Sequence, residues 1–140
     1  MITVTSIKML DKTRDNQWAI VRSMKSSSPW ITQVPELSPS KELFFEYLRL
    51  RNAGQWNKET FEKVYVPWFL RDMKTYGAPM LNRVYLMNRQ GIDITMGCFC
   101  QEEDTCHRSI VAGLLQGAGC SVATQTGADY SRYFQMFKSI

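Results

Sequence analysis

Four segments in which apolar and β-branched residues recur are predicted to be strands: residues 2–9, 18–22, 92–97 and 119–123. Residues 10–17 follow the first of these strands and are polar, which predicts a loop or a hairpin. Residues 24–39 hold three prolines and four serines, a composition typical of irregular backbone. A connection of that length in a compact domain often carries function.

Apolar residues spaced three and four apart predict two long helices in the middle of the chain. The first opens at Ser38-Pro39, an oxygen-bearing cap followed by proline, and ends before Gly54. The second covers residues 57–76, and Pro67 is expected to kink or split it because proline lacks a backbone N–H and crowds the preceding turn.

Three shorter helices are predicted in the second half of the chain. The Gly-Ala-Pro sequence at 77–79 is expected to break the backbone before a helix over residues 79–88. A helix over residues 106–116 has an apolar face and ends at Gly117, and a short aromatic helix lies within residues 129–140.

The order of the late elements predicts the fold class. A strand at 92–97, a helix at 106–116 and a strand at 119–123 alternate as in a parallel crossover unit. The chain has 140 residues, of which 44% are hydrophobic and 21% charged, so it has the size of one domain and can bury a core. We therefore expect a small single α/β domain over residues 1–140, with a mostly parallel sheet flanked by helices.

The charge and the termini limit the partners. No apolar run reaches the ~18–20 residues of a membrane-spanning helix, and the first residues lack the basic start of a secretion signal. A cytoplasmic location without membrane contact is expected. The net charge of +4 permits contact with a small anionic ligand or with nucleic acid. A nucleic-acid or protein partner, bound through residues 24–39 and Trp30, is the alternative to the small ligand; no oligomeric state is predicted.

Three of the four cysteines fall within nine residues: Cys98, Cys100 and Cys106. A disulfide framework spreads its cysteines along the chain, so this cluster favours free thiols in a reducing compartment. The fourth, Cys120, lies in a predicted strand and is expected to be a small core residue.

The cysteine cluster is predicted to lie where ligands bind in parallel sheets, beyond the carboxyl end of a strand and at the start of the next helix. Cys98 ends the strand, and Cys106, His107 and Arg108 open the helix. A helix start binds anions and favours thiolate over thiol, which predicts a pocket for a phosphate, a carboxylate or an attacking sulfur. In a regular helix Cys106 and Arg108 point about 200° apart, so we expect that they do not face one small ligand together.

Two other interpretations of these residues stay open. Cys98, Cys100, Cys106 and His107 could form a four-ligand site for zinc or iron, although adjacent residues seldom both reach one ion. The same side chains could also be purely structural. Cysteines at strand ends pack as small apolar groups, and a histidine at a helix start often donates to a backbone carbonyl.

Three stretches of the sequence resemble the domain of unknown function 488 family. The most specific is Met96-Gly97-Cys98, followed by Cys106-His107-Arg108-Ser109-Ile110 and Leu114. The second is Pro39-Ser40-Lys41-Glu42-Leu43, followed by Phe61, Tyr65 and Leu70, and the third is the strand at 18–22 that ends in arginine. The Cys-x-Cys and Cys-His pattern alone is also similar to domain of unknown function 4326. The resemblance implies a small, mostly parallel α/β fold and no established activity.

The resemblance also adds Arg22 to the predicted pocket, since a strand-end arginine would complement an anion. Many members carry glutamate where this chain has Cys100. The leading hypothesis is therefore a strand-end Cys/His/Arg pocket that binds, and could transform, a phosphorylated or nucleotide-like ligand. Its catalytic candidates are Cys98, Cys106 and His107, and its ligand-binding candidates are Arg22, Arg108 and Ser109. The sequence assigns no cofactor and does not decide whether the protein is an enzyme.

Overall fold

Five parallel strands form one sheet in the order β3-β2-β4-β1-β5. The computed structural model describes residues 1–26 and 28–140; Ser27, in the segment predicted to be irregular, lies outside the described residues. The strands are β1 (Ile2–Ser6), β2 (Gln17–Ala19), β3 (Ile31–Gln33), β4 (Ile94–Cys98) and β5 (Val122–Thr124). The predicted α/β fold with a parallel sheet is confirmed.

Of the loop and the hairpin predicted for residues 10–17, the structure has the loop. The first two strands do not form a hairpin, because β4 lies between them and pairs with both. The prediction for the next connection is wrong in part. Residues 24–39 are not wholly irregular, because they contain β3 and a turn of 3-10 helix at Pro35–Leu37. Strand β3 has no apolar alternation because it is an edge strand. Thr32 and Gln33 are exposed there, and only one side of the backbone pairs with a neighbour.

In the part of the chain that the structure describes, six α-helices accompany the sheet: α1 (Lys41–Asn52), α2 (Lys58–Thr60), α3 (Val66–Asp72), α4 (Ala78–Arg89), α5 (His107–Gly117) and α6 (Arg132–Lys138). The cap of α1 is Ser40 and not Ser38, since the Ser40 side chain accepts a hydrogen bond from the backbone N–H of Leu43. Asn57 caps α2 in the same way, through the N–H of Thr60.

The predicted break at residues 77–79 is also wrong. Two π-helical turns, Phe61–Tyr65 and Met73–Gly77, join α2, α3 and α4 into a continuous helical segment over residues 58–89. Pro67 and Pro79 both lie in the first turn after a π-helical turn. The hydrogen-bond ladder is already irregular at those points, so a missing N–H is tolerated there.

The connections that leave β2 and β4 run to opposite sides of the sheet. From β2 the chain passes outward to β3, whereas from β4 it passes through α5 and across β1 to β5 on the other side. Helix α5 packs against β1 and β5. The carboxyl ends of β2 and β4 therefore border the crevice in which α/β sheets of this kind bind ligands. Within the two described ranges, no helix is long and apolar enough to cross a membrane.

A glycine lets the chain approach β4 closely just before the crevice. A Cβ atom at Gly97 would lie 2.8 Å from the Cα of Ile7, in the 3-10 turn Ile7–Met9 that follows β1. Most residues of β1 and β4 are buried, and Cys98, the last residue of β4, is completely buried. Close packing around this strand end therefore fixes where Cys98 lies.

Candidate functional site

Four potential metal ligands converge at the crevice between β2 and β4. The ligand atoms of Cys98, Cys100, Cys106 and His107 all lie within 4.8 Å of one another. Cys98 ends β4, Cys106 is the N-cap of α5, and His107 is the first residue of that helix. Cys100 lies in the connecting loop. The sequence predicted this cluster of residues at a strand end and a helix start, and the structure brings all four side chains together.

The backbone of Cys106 explains how adjacent residues reach one place. Its φ of −119° and ψ of 146° are extended, so Cys106 stands outside the regular helix. The expectation that Cys106 and Arg108 point in different directions is therefore wrong. The Sγ of Cys106 lies 2.8 Å from the Sγ of Cys98, and an N–H of Arg108 points to the same Cys98 sulfur at 3.5 Å.

His107 links the site to the neighbouring strand. Its Nε2 lies 2.7 Å from the carbonyl oxygen of Ile20, immediately after β2. A carbonyl oxygen only accepts, so Nε2 carries a proton, and in the neutral imidazole Nδ1 then keeps its lone pair. Nδ1 faces the Sγ of Cys106 at 3.8 Å, and the ring packs on Phe69 with their centroids 5.6 Å apart. The bond to a backbone carbonyl thus also orients Nδ1 as a ligand.

Arg108 is buried, with 1% of its surface exposed. Besides its contact with Cys98, it donates to the carbonyl oxygen of Cys100 at 2.6 Å and to Oε1 of Gln125 at 3.1 Å. Its Nε is the one fully buried side-chain nitrogen or oxygen, among the residues that the structure describes, without a hydrogen-bond partner. A positive charge therefore lies directly beside the sulfur cluster.

Glu103 anchors the loop that carries Cys100. Its carboxylate is buried and accepts hydrogen bonds from the backbone N–H of Gln125 at 2.9 Å, from the hydroxyl of Tyr130 at 2.7 Å, and from the hydroxyl of Thr126. Because Gln125 in turn accepts from Arg108, this network extends to the cluster. The acidic loop was visible in the sequence, but nothing in it distinguishes Glu103 from its exposed neighbours.

The pKa values of the Cys98 and Cys106 thiols are shifted in opposite directions. Hydrogen bonds from Cys100 and Cys106, with help from His107 and Arg108, hold the pKa of Cys98 well below its usual range. Burial, followed by the neighbouring sulfurs, raises the pKa of Cys106. The cluster therefore favours a negative sulfur at Cys98 that two S–H groups and a guanidinium stabilise.

The other two predicted ligand-binding residues, Arg22 and Ser109, donate hydrogen bonds to backbone carbonyl oxygens. Arg22 is exposed and donates to the carbonyl oxygen of Pro39 at 3.4 Å, and its described contacts do not reach the cysteines. The hydroxyl of Ser109 donates to the carbonyl oxygen of Cys106 at 2.8 Å. Cys120 is half-buried and packs at the edge of the core, outside the cluster.

The donor set has the composition and spread of a four-coordinate zinc site. Zinc binds thiolate at about 2.3 Å and imidazole at about 2.0–2.1 Å in a tetrahedron, which keeps ligand atoms within about 4 Å of each other. The four donor atoms of this site lie within 4.8 Å of one another, slightly more than that distance. A zinc ion held by three thiolates would carry one net negative charge, and the neighbouring Arg108 guanidinium would offset it.

The comparisons with known proteins identify a family and no individual relative. Residues 7–119, most of the chain, match the family model described as the Active DUF488-N3 subclade. This range includes β2, β3 and β4, all four cluster residues and the whole of α5. No curated protein and no solved structure matches the chain.

Proposed function

The chain belongs to the Active DUF488-N3 subclade, and we propose that in this member Cys98, Cys100, Cys106 and His107 bind a zinc ion. The observation that carries the proposal is the convergence of the four donor atoms within 4.8 Å. Ligand sets of three cysteines and one histidine are typical of tetrahedral zinc sites that stabilise a fold.

The surroundings of the four donors support the same function. A metal-binding histidine nearly always donates its other N–H to a carbonyl or carboxylate, and Nε2 of His107 contacts the carbonyl of Ile20. A thiolate ligand gains from a neighbouring donor, and Arg108 supplies one at Cys98. Thiolate and imidazole ligands suit zinc and also iron, whereas oxygen ligands suit magnesium and calcium.

The bound ion would stabilise the crevice between β2 and β4. It would bind Cys98 at the end of β4, and Cys106 and His107 at the start of α5. It would also bind Cys100 in the loop between these two elements. Four protein ligands leave no open coordination position, and Cys98 and Cys106 are buried, so the proposed role is structural. The ion would thus shape the carboxyl edge of the sheet.

Elemental analysis of protein purified without chelator tests the proposal. We expect about one zinc per chain, and the Cys120→Ser variant, which alters the cysteine outside the cluster, should retain it. Less than about a tenth of an equivalent of zinc would overturn the proposal. A full equivalent of iron in place of zinc would overturn the choice of metal and keep the ligand set.

One observation favours a second candidate, a pocket for a small anion such as phosphate. The Nε of Arg108 is buried without a partner, and it lies at the N-terminus of α5, where backbone N–H groups attract negative charge. In this candidate Cys98, Cys106 and His107 would act on the ligand, and Arg22 and Ser109 would help to bind it.

Titration of metal-free protein with inorganic phosphate, followed by NMR, tests this second candidate. Binding should perturb the amide signals of Arg108 and Ser109, and the Arg108→Gln variant should abolish the effect. Unchanged spectra at millimolar phosphate would contradict it.

A further inference from the structure

Resting on the proposed zinc site, we infer that Cys100 is an oxidation site: a hydroperoxide converts its thiolate to a sulfenic acid, which Cys106 resolves as a disulfide, and the zinc is released. Hydrogen peroxide is the simplest oxidant of this class. The site would then respond to the redox state around it, because losing two ligands removes the ion.

Access singles out Cys100 as the sulfur that reacts first. Cys98 and Cys106 are buried, with 0% and 1% of their surface exposed. Cys100 is only partly buried, and both of its neighbours are exposed, Phe99 with 59% of its surface. Oxidation of cysteine follows thiolate character and exposure, and zinc binding keeps all three sulfurs as thiolates. Exposure to solvent therefore determines which of the three sulfurs reacts first.

The neighbouring sulfurs provide the resolving thiol. Both Cys98 and Cys106 lie within 4.8 Å of the Cys100 sulfur, so no large movement is needed. A bond from Cys100 to Cys98 would close a ring across one intervening residue, whereas Cys106 is six positions away. Arg108 also holds Cys98 through an N–H directed at its sulfur. Cys106 is therefore the favoured partner for the disulfide.

Hydrogen peroxide is the only oxidant that this reaction needs. The Cys100 thiolate attacks one peroxide oxygen, the S–O bond forms as the O–O bond breaks, and hydroxide leaves. The Cys106 thiolate then attacks the sulfenic sulfur, the S–S bond forms as the S–O bond breaks, and a second hydroxide leaves. The two sulfurs give up two electrons in total and the peroxide accepts them. Two protons from solvent convert the hydroxides to water, and Zn²⁺ departs without a change of charge.

The test starts from protein shown by elemental analysis to contain zinc. Hydrogen peroxide is added in the presence of a chromophoric chelator, and peptide mapping locates the disulfide. We expect zinc release together with a disulfide between Cys100 and Cys106, seen as a mass about 2 Da below that of the two thiol forms. Dithiothreitol followed by added zinc should restore the zinc-bound protein.

Two variants separate this inference from the proposed function. Cys100→Ser lacks one ligand, so its zinc release is measured both with and without peroxide. The acceleration of release by peroxide should be at least about tenfold smaller than in the parent, since the accessible thiolate is gone. Cys120→Ser should release zinc like the parent. If the parent binds no zinc, the proposed function itself fails. If the parent binds zinc but peroxide accelerates release from Cys100→Ser as much as from the parent, or if the disulfide excludes Cys100, only the oxidation site is overturned.

Discussion

The Nε2 of His107 lies 2.7 Å from the carbonyl oxygen of Ile20, so the first residue of α5 is tied to the residue that follows β2. These two positions are 87 residues apart in the chain, and their contact spans the crevice at which the chain changes direction across the sheet. Because the carbonyl fixes the proton on Nε2, it also directs the Nδ1 lone pair toward Cys106. One hydrogen bond thus connects the fold to the proposed ligand geometry.

Replacing His107 by alanine should weaken zinc binding severely. The variant loses a ligand as well as the bond to Ile20, so its zinc affinity should fall by more than the about 10–100-fold that follows loss of an outer partner alone. Competition with a chromophoric chelator measures the affinity, with Cys120→Ser as the control. Parental affinity in His107→Ala would remove the histidine from the ligand set.

Replacing Arg108 by glutamine should weaken zinc binding less, because the four ligands remain. The variant loses the charge that offsets the thiolates, and we expect a decrease in zinc affinity of about 10–100-fold. Arg108→Lys should recover only part of the affinity, since an ammonium group cannot reproduce the planar fork that reaches Cys98, Cys100 and Gln125. Arg132→Gln, at an exposed arginine that contacts Glu62, is the matched control.

Replacing Glu103 by glutamine should destabilise the fold by about 1–3 kcal/mol. The buried carboxylate accepts three hydrogen bonds, whereas the amide presents donors to some of the same groups. Urea unfolding of the two proteins measures the difference. Glu59→Gln, at an exposed glutamate paired with Lys63, should stay within about 0.5 kcal/mol of the parent. Equal effects of the two substitutions would contradict the anchoring role.

Replacing Gly113 by alanine should destabilise the contact between α5 and the backbone at Tyr130, just before α6. A Cβ at this position would overlap the backbone carbonyl oxygen of Tyr130, which cannot move aside like a flexible side chain. Overpacking of this kind costs about 1–3 kcal/mol, which thermal unfolding detects. Gln135→Ala, at an exposed position on α6, is the control. A Gly113→Ala protein as stable as the parent would show that α5 and Tyr130 are not held this closely.

The free energy of unfolding should fall as pH rises from about 10 to 12. Burial, together with the hydrogen bond to Glu103, raises the pKa of Tyr130 to about 12. Its contribution is complete below the unfolded-state pKa near 10 and is lost as the unfolded chain ionises first. Urea unfolding between pH 9 and 12 should show a shallower decline for Tyr130→Phe, with Tyr85→Phe as the control. Parallel curves for parent and Tyr130→Phe would contradict this assignment.

The sequence predicted where the four clustered side chains lie better than how they are oriented. The strand ending at Cys98 and the helix beginning near Cys106 were readable from apolar periodicity, and parallel sheets bring such ends together. The sequence pattern did not show that Cys106 has extended dihedral angles. The conformation of that single residue decides whether the side chains of Cys106 and Arg108 diverge or meet, and helical spacing gave the wrong answer for this pair.

The other wrong or missing predictions concern features that depend on tertiary contacts, which a local sequence pattern does not encode. Glycine and proline at positions 77–79 normally end a helix. Here Gly77 is the last residue of a π-helical turn, and Pro79 lies in the first turn of α4, where a missing N–H is tolerated. Strand β3 was missed because its polar residues pair at the edge of the sheet. Glu103 was not distinguished from its neighbours because its partners come from residues 125–130, beyond the segment that the motif covers.

The position of β4 determines when this sheet can assemble as the chain emerges from the ribosome. Strands β1 and β2 do not pair with each other, and both wait for residues 94–98 to occupy the space between them. Residues 7–93 are therefore synthesised before β1 can pair with β4. Cys106 and His107 follow within a few residues, so the last strand to reach the centre arrives together with the proposed ligands. Nascent β1 and β2 carry unpaired edges until then, and this is the interval in which a chaperone would protect the chain most.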